Sequence, residues 1–148
     1  MTESSATDHD PRYGLTRGGV AALLRNHGIT PTHQRIEIAY VLFERQQHLS
    51  ADRVLTLVNA RHAETSKATI YNTLKLFLEK KLVREVIVDP NRVFYDSCTA
   101  PHHHFFDTAT GELTDFPAEG VHIEGLPPLP AGSVADGVDI VIRTRPAN

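Results

Sequence analysis

Cysteine is nearly absent: Cys98 is the only one in 148 residues, beside a single methionine and no tryptophan. One thiol makes no intrachain disulfide and excludes, within one chain, a zinc site built on cysteine pairs. No apolar run reaches the roughly 20 residues that a membrane-spanning helix needs. The N-terminus shows neither the basic start nor the apolar stretch of a secretory signal, so a cytoplasmic location is expected. An overall excess of positive charge is also missing, since the formal net charge is −3. That balance argues against a nucleic-acid partner only until the chain is divided. Residues 11–95 hold thirteen Lys or Arg against seven Asp or Glu, a net +6, whereas residues 96–148 hold two against eight, a net −6. A basic first part is the electrostatic footprint that counterion release from DNA rewards, and an acidic second part suits a cation site.

Periodicity divides the chain in the same place. Residues 1–12 are polar and aperiodic and read as a mobile tail. Leu15, Val20, Leu23 and Leu24 then give a helical apolar face that stops at Gly28. Thr30-Pro31 is expected to open a second helix, with Ile36, Ala39, Tyr40 and Phe43 as its stripe and its end near His48. Ser50 caps a third helix carrying Val54, Leu55, Leu57 and Val58 before polarity returns at Arg61-His62, and Ser66 caps a fourth whose stripe is Ile70, Leu74 and Phe77 or Leu78. The opposite side of that fourth helix presents Lys67, Thr69, Tyr71, Asn72 and Lys75. After Lys80-Lys81 the period shortens. Val83–Val88 and Arg92–Tyr95, separated by Asp89-Pro90-Asn91, read as a two-stranded hairpin.

Helices followed by such a wing make a winged helix-turn-helix, and the polar face of the fourth helix has the side chains that read base edges in a major groove. Arg35 and Arg92 join it as DNA-contact candidates. The expected fold class is α+β: a winged-helix domain over residues 13–95, then a small α/β dimerisation domain over residues 96–148. The second part offers strands at His102–Phe106, Glu112–Phe116 and Val138–Arg143. Three strands bury little area alone, so a homodimer is expected.

The acidic part also contains Pro101-His102-His103-His104-Phe105-Phe106. Side chains alternate along a strand, so His102 and His104 share a face and His103 takes the other. Asp96 lies where the wing ends, Asp115 lies on the following strand, and His48 comes from the first part. Three imidazoles and two carboxylates are a donor set that favours iron or manganese over structural zinc. Outside this set, His122, flanked by Glu119 and Glu124, is the candidate ligand of a second site.

The segments Gly28–Arg35, His48–Asp52 and Ser66–Leu74, followed by the wing, the histidine strand and Gly111–Phe116, resemble the ferric uptake regulator family. The match runs in order over about residues 15–116, and Val138–Arg143 is similar to the family's last dimerisation strand. The resemblance implies a homodimeric, metal-responsive transcription regulator without enzymatic activity. It binds a double-stranded DNA operator, and Tyr71 stands at the family's base-contacting position. It also implies that His48, Asp96, His102, His104 and Asp115 hold Fe²⁺ or Mn²⁺ at a hinge between the domains. Asp at position 96, in place of Glu, resembles the peroxide-sensing and iron-response branches. Where most members have Cys-x-x-Cys after the histidine strand, this chain has Asp107-Thr108-Ala109-Thr110, so a four-cysteine zinc is not expected. Together with the triple histidine this resembles the iron response regulator branch, which couples gene control to iron and haem, and the resemblance implies that any haem takes an imidazole of His102, His103 or His104 as axial ligand. Peroxide- and manganese-sensing regulators of the same family are the alternatives, and a small non-haem iron enzyme stands further off. The His and carboxylate set also suits oxygen chemistry, but an enzyme leaves the basic helical half without a role.

Overall fold

The computed structural model describes residues 11–61 and 65–147. The expected tail, residues 1–12, therefore lies outside the described residues except for Pro11 and Arg12, as does His62, where the third helix was expected to lose its apolar character. Two compact units emerge, residues 1–99 and 100–148. The division falls after Thr99 because Asp96 is the last residue of a strand that belongs to the first unit.

The first unit contains α1 (Arg17–Asn26), α2 (His33–Leu42), β1 (His48–Leu49), α3 (Ala51–Arg61), α4 (Lys67–Glu79), β2 (Arg84–Asp89) and β3 (Arg92–Asp96). Each helix starts at a hydroxyl cap that accepts one of the amides a helix leaves unpaired. Thr16 accepts from Gly19, Ser50 from Arg53 and Ser66 from Thr69. For α2 the cap is Thr32, which accepts from the amide of Arg35 at 3.2 Å, so the helix begins two residues later than Thr30-Pro31 suggests. Thr32 holds the extended backbone that a cap requires (φ −124°, ψ 163°), and Pro31 stands outside the helix.

α1 and α4 end in the same six-residue closure. Ile29 N–H bonds Leu24 C=O and Gly28 N–H bonds Arg25 C=O, while Leu82 N–H bonds Phe77 C=O and Lys81 N–H bonds Leu78 C=O. That closure needs one left-handed residue. Gly28 supplies it at φ +72°, but in α4 the position is filled by Lys81 at φ +58°.

The core of this unit gathers Val20, Leu24, Ile29, Ile38, Leu42, Phe43, Val54, Val58, Ile70, Leu74, Phe77 and Leu82. α2 keeps half of its expected stripe: Ala39 and Phe43 are buried together with Ile38, Val41 and Leu42, while Ile36 and Tyr40 are only partly so. The helix is apolar around most of its circumference, so periodicity alone fixes its buried side only in part. Its buried Glu37 is held by Arg17, with Nε to Oε1 at 2.7 Å and Nη2 to Oε2 at 3.3 Å. α2 stops at Leu42, well short of His48, and Gln47 donates to the carbonyl of Val41 at 2.9 Å to satisfy its end. His48 instead lies on β1, which pairs antiparallel with β3, and the expected two-stranded wing becomes a three-stranded sheet of order β1-β3-β2.

The second unit contains β4 (His102–Asp107), β5 (Leu113–Pro117) and β6 (Val141–Thr144), with no helix among its described residues. β4 is central, antiparallel to β5 and parallel to β6. The last strand begins at Val141 rather than Val138. Just before it, Ile140 C=O accepts from the amide of His104 and its own N–H donates to His103 Nδ1 at 3.2 Å. Residues 118–140 form neither helix nor strand, turn at Glu119–Gly120 and at Ala131–Gly132, and leave Leu126, Leu129, Val134 and Val138 exposed. No helix among the described residues is long and apolar enough to cross a membrane.

Candidate metal centre and nucleic-acid face

In the first unit, His48 and Asp96 are direct register partners of β1 and β3, which places their side chains on one side of the sheet. His48 Nε2 stands 3.3 Å from Asp96 Oδ2. Asp96 is fully buried, and its other oxygen accepts the amide of Cys98 at 2.9 Å. A buried carboxylate survives only with such partners. Here they divide its two oxygens between a backbone amide and an imidazole.

In the second unit, the period-two alternation of β4 puts His102 and His104 on one face, and β5 sets Asp115 directly opposite His104. Both rings aim Nε2 at the same atom: Asp115 Oδ1 lies 3.2 Å from His104 and 3.6 Å from His102. The His102 Nδ1 is 2.6 Å from the carbonyl of Ala100. A carbonyl only accepts, so Nδ1 carries the proton and Nε2 of the neutral ring keeps its lone pair for a ligand. Within this unit the three donor atoms lie within 4.8 Å of one another. The Nε2 lone pair of His102 and the carboxylate oxygen it faces repel unless a proton or a cation sits between them. A divalent ion relieves that repulsion, so the donor set fits iron or manganese.

The remaining histidines of the candidate set are placed elsewhere. His103 points to the opposite face of β4, where its Nδ1 accepts from Ile140 N–H and its ring lies 5.5 Å from that of Phe116. His122 is exposed and belongs to no group of three donors among the described residues. Sequence reasoning missed the backbone partners, the amide of Cys98 and the carbonyl of Ala100. Only the Asp96-x-Cys98 spacing of an Asx turn hinted at the first.

On α4 the buried stripe of Ile70, Leu74 and Phe77 faces the core, and Lys67, Tyr71 and Lys75, spaced four apart, are exposed on another side with Asn72. The Lys67 ammonium lies 5.8 Å from the centre of the Tyr71 ring and 3.5 Å from Asp52. Thr69 is half-buried, and its hydroxyl bonds that of Ser66 at 2.9 Å, so it serves the cap. Arg35 spends Nη1 on the carbonyl of Thr30 at 2.9 Å, and Arg92 stays half exposed at the wing, 3.5 Å from Asp89. Between α4 and the wing lies a cleft of about 360 Å³, whose walls include Tyr71, Arg92, Val93 and Tyr95. Burial raises the Tyr95 phenol above its ordinary pKa, with Glu85 and Tyr71 adding to the effect.

Comparison with known proteins converges on one group. The model of the ferric uptake regulator family matches residues 26–125. The peroxide-responsive repressor PerR of Staphylococcus epidermidis is 30% identical over 114 residues, 77% of this chain and 72% of the relative. The peroxide operon regulator of Bacillus subtilis is 30% identical over 103 residues, covering 70% and 68%. Among solved structures, the ferric uptake regulator from Pseudomonas aeruginosa with manganese superposes with a TM-score of 0.64 at 21% identity, over 86% of this chain and 97% of that one. These relatives do not support the expected iron response regulator branch, and the haem reading that came with it has no support either.

Proposed function

The chain belongs to the ferric uptake regulator family of transcription regulators, which are not enzymes, and from that premise we propose that it is a metal-dependent, peroxide-responsive regulator of an operator. The observation that carries this reading is the donor chemistry. His102 and His104 direct Nε2 at one Asp115 oxygen, His48 directs Nε2 at Asp96, and 30% identical relatives are described as peroxide-responsive. In this reading His48, Asp96, His102, His104 and Asp115 hold one Fe²⁺ or Mn²⁺ ion. The carboxylates balance its charge, and the carbonyl of Ala100 keeps the His102 ring in the ligating tautomer.

Because His48 and Asp96 belong to one unit and the other three to the next, occupancy selects among arrangements of the two. An ion shifts that equilibrium only by its differential affinity for them. Coupling of about 1–3 kcal/mol changes operator affinity roughly 5- to 150-fold. Homodimerisation places two α4 faces on the duplex, with Tyr71 and Asn72 at base edges and Lys67, Lys75, Arg35 and Arg92 toward phosphates.

Bound iron, unlike manganese, supplies the means to reduce peroxide beside an oxidisable imidazole. The deciding experiment loads the protein with Fe²⁺ or Mn²⁺, adds hydrogen peroxide, and follows operator binding together with the mass of peptides carrying His48 and His102. Loss of binding with one added oxygen on either histidine, in the iron form alone, supports peroxide sensing. Equal retention of binding in both forms leaves manganese- or iron-dependent control without peroxide sensing. Operator affinity unchanged by chelation refutes metal dependence altogether.

A further inference from the structure

We infer that Tyr13 and Ser97 are positioning residues for Asp96, clamping from 84 positions away the turn that aims its carboxylate. The inference rests on Asp96 being a metal ligand, as proposed above. Asp96 Oδ1 is held by the amide of Cys98, so the direction of Oδ2, which faces His48, follows the backbone of residues 96–98. Ser97, inside that turn, is fully buried, and its hydroxyl shares a buried hydrogen bond of 2.9 Å with the hydroxyl of Tyr13.

Tyr13 is itself fixed at two further points. Its ring stacks on Phe43 with centroids 6.0 Å apart and planes 29° from parallel. The next residue, Gly14, donates its amide to the carbonyl of Phe43 at 3.0 Å while holding φ +67°. At the outer end of the turn, Arg12 Nη1 donates to Thr99 Oγ1 at 3.3 Å. The side chains on both sides of Cys98 are thus tied to residues 12 and 13, and the amide between them is the one that Asp96 uses. The same short segment leads into the Thr16 cap of α1, so it connects this turn with the start of the first helix.

Groups that orient metal ligands from behind change metal affinity by about 10- to 100-fold when removed. Tyr13→Phe keeps the ring on Phe43 and deletes only the hydroxyl. It is expected to weaken Mn²⁺ binding about 10-fold, measured by competition with a chromophoric chelator. Ser97→Ala should match it, and the double variant should be no weaker than either single change, because both remove one contact. Thr99→Val, at an exposed position that the core does not depend on, should weaken binding about 2- to 3-fold.

The melting temperature of the metal-free proteins separates positioning from packing. A fall in metal-free stability with unchanged Mn²⁺ affinity overturns the inference, as do additive losses in the double variant. Wild-type protein that takes up no Mn²⁺ overturns the site reading and this inference together. Saturable wild-type binding, with Tyr13→Phe and Thr99→Val binding equally well, overturns this inference alone.

Discussion

Asp115→Asn is the sharpest perturbation of the candidate centre. The substitution is isosteric and falls on a side chain that retains 28% exposure, so it creates no cavity and no fully buried amide. It removes the charge from the one oxygen that faces Nε2 of both His104 and His102. Even an indirect ligand contact is worth 10- to 100-fold in metal affinity, so loss of a direct one should cost about 100-fold or more. At a free Mn²⁺ concentration of about 100 times the wild-type Kd, binding stabilises the folded protein by about 2.7 kcal/mol. In the variant the same concentration only equals the weakened Kd, and the stabilisation falls to about 0.4 kcal/mol. For a chain of about 150 residues each kcal/mol moves the melting temperature by roughly 2–4 °C. Mn²⁺ should therefore raise wild-type Tm by about 5–11 °C and that of Asp115→Asn by about 1–2 °C, at one protein concentration and against a chelator baseline. Operator binding by fluorescence anisotropy should lose its Mn²⁺ dependence in parallel. Equal Mn²⁺-induced shifts in the two proteins would refute the assignment of Asp115 as a ligand.

Three further outcomes are expected. Tyr71→Ala should weaken specific operator binding by about 1–3 kcal/mol with little effect on random DNA, whereas Lys75→Ala should weaken both and lower the salt-dependence slope by about one; operator binding unchanged in both variants would move the reading surface off α4. Lys81→Gly should raise stability by about 1 kcal/mol in denaturant melts, because a left-handed backbone costs an L-residue about 1–2 kcal/mol and glycine returns part of that as chain entropy. Asp107→Ala should lower stability by about 0.5–2 kcal/mol, the range of a lost cap, since its carboxylate accepts the amides of Ala109 and Thr110 at 2.8 and 3.2 Å; an unchanged denaturation midpoint would show that the turn holds without it.

What was legible in the sequence was whatever is encoded locally. Ser50 and Ser66 announce their helices because a hydroxyl followed by an amphipathic run is enough to predict a cap, and both caps are made. The shared face of His102 and His104 follows from the two-residue period of any strand, and the turn at Asp89–Asn91 from its residue types. Legibility fails where the deciding partner is far away in sequence. Thr30 and Thr32 are equal as cap candidates until the backbone angles choose between them. The strand at His48 exists only because β3, more than forty residues later, offers an edge to pair with. The tie from Tyr13 to Ser97 has no local signature, and the main-chain partners of Asp96 and His102, though only two residues away, are nearly as silent, since every residue carries an amide and a carbonyl and only the Asx-turn spacing at Asp96 hints at one of them.

The segment Asp107–Thr110 shows how a hairpin is secured without cysteines. Asp107 ends β4, and its carbonyl accepts the amide of Gly111 at 2.8 Å while its carboxylate takes the two amides between them. Gly111, at φ +75°, reverses the chain into β5. Beside it, both the amide and the hydroxyl of Thr108 donate to the carbonyl of Thr144, at 2.9 and 3.0 Å, which fastens the far end of β6 to the same turn. Five hydrogen bonds thus close one end of the sheet on which His102, His104 and Asp115 are placed. None of them uses a group that is oxidised by peroxide or removed by a chelator. In a protein proposed to sense peroxide through a metal ion, this confines the response to the donors themselves: the ion can leave or a ligand can be oxidised while the hairpin that presents them keeps its register.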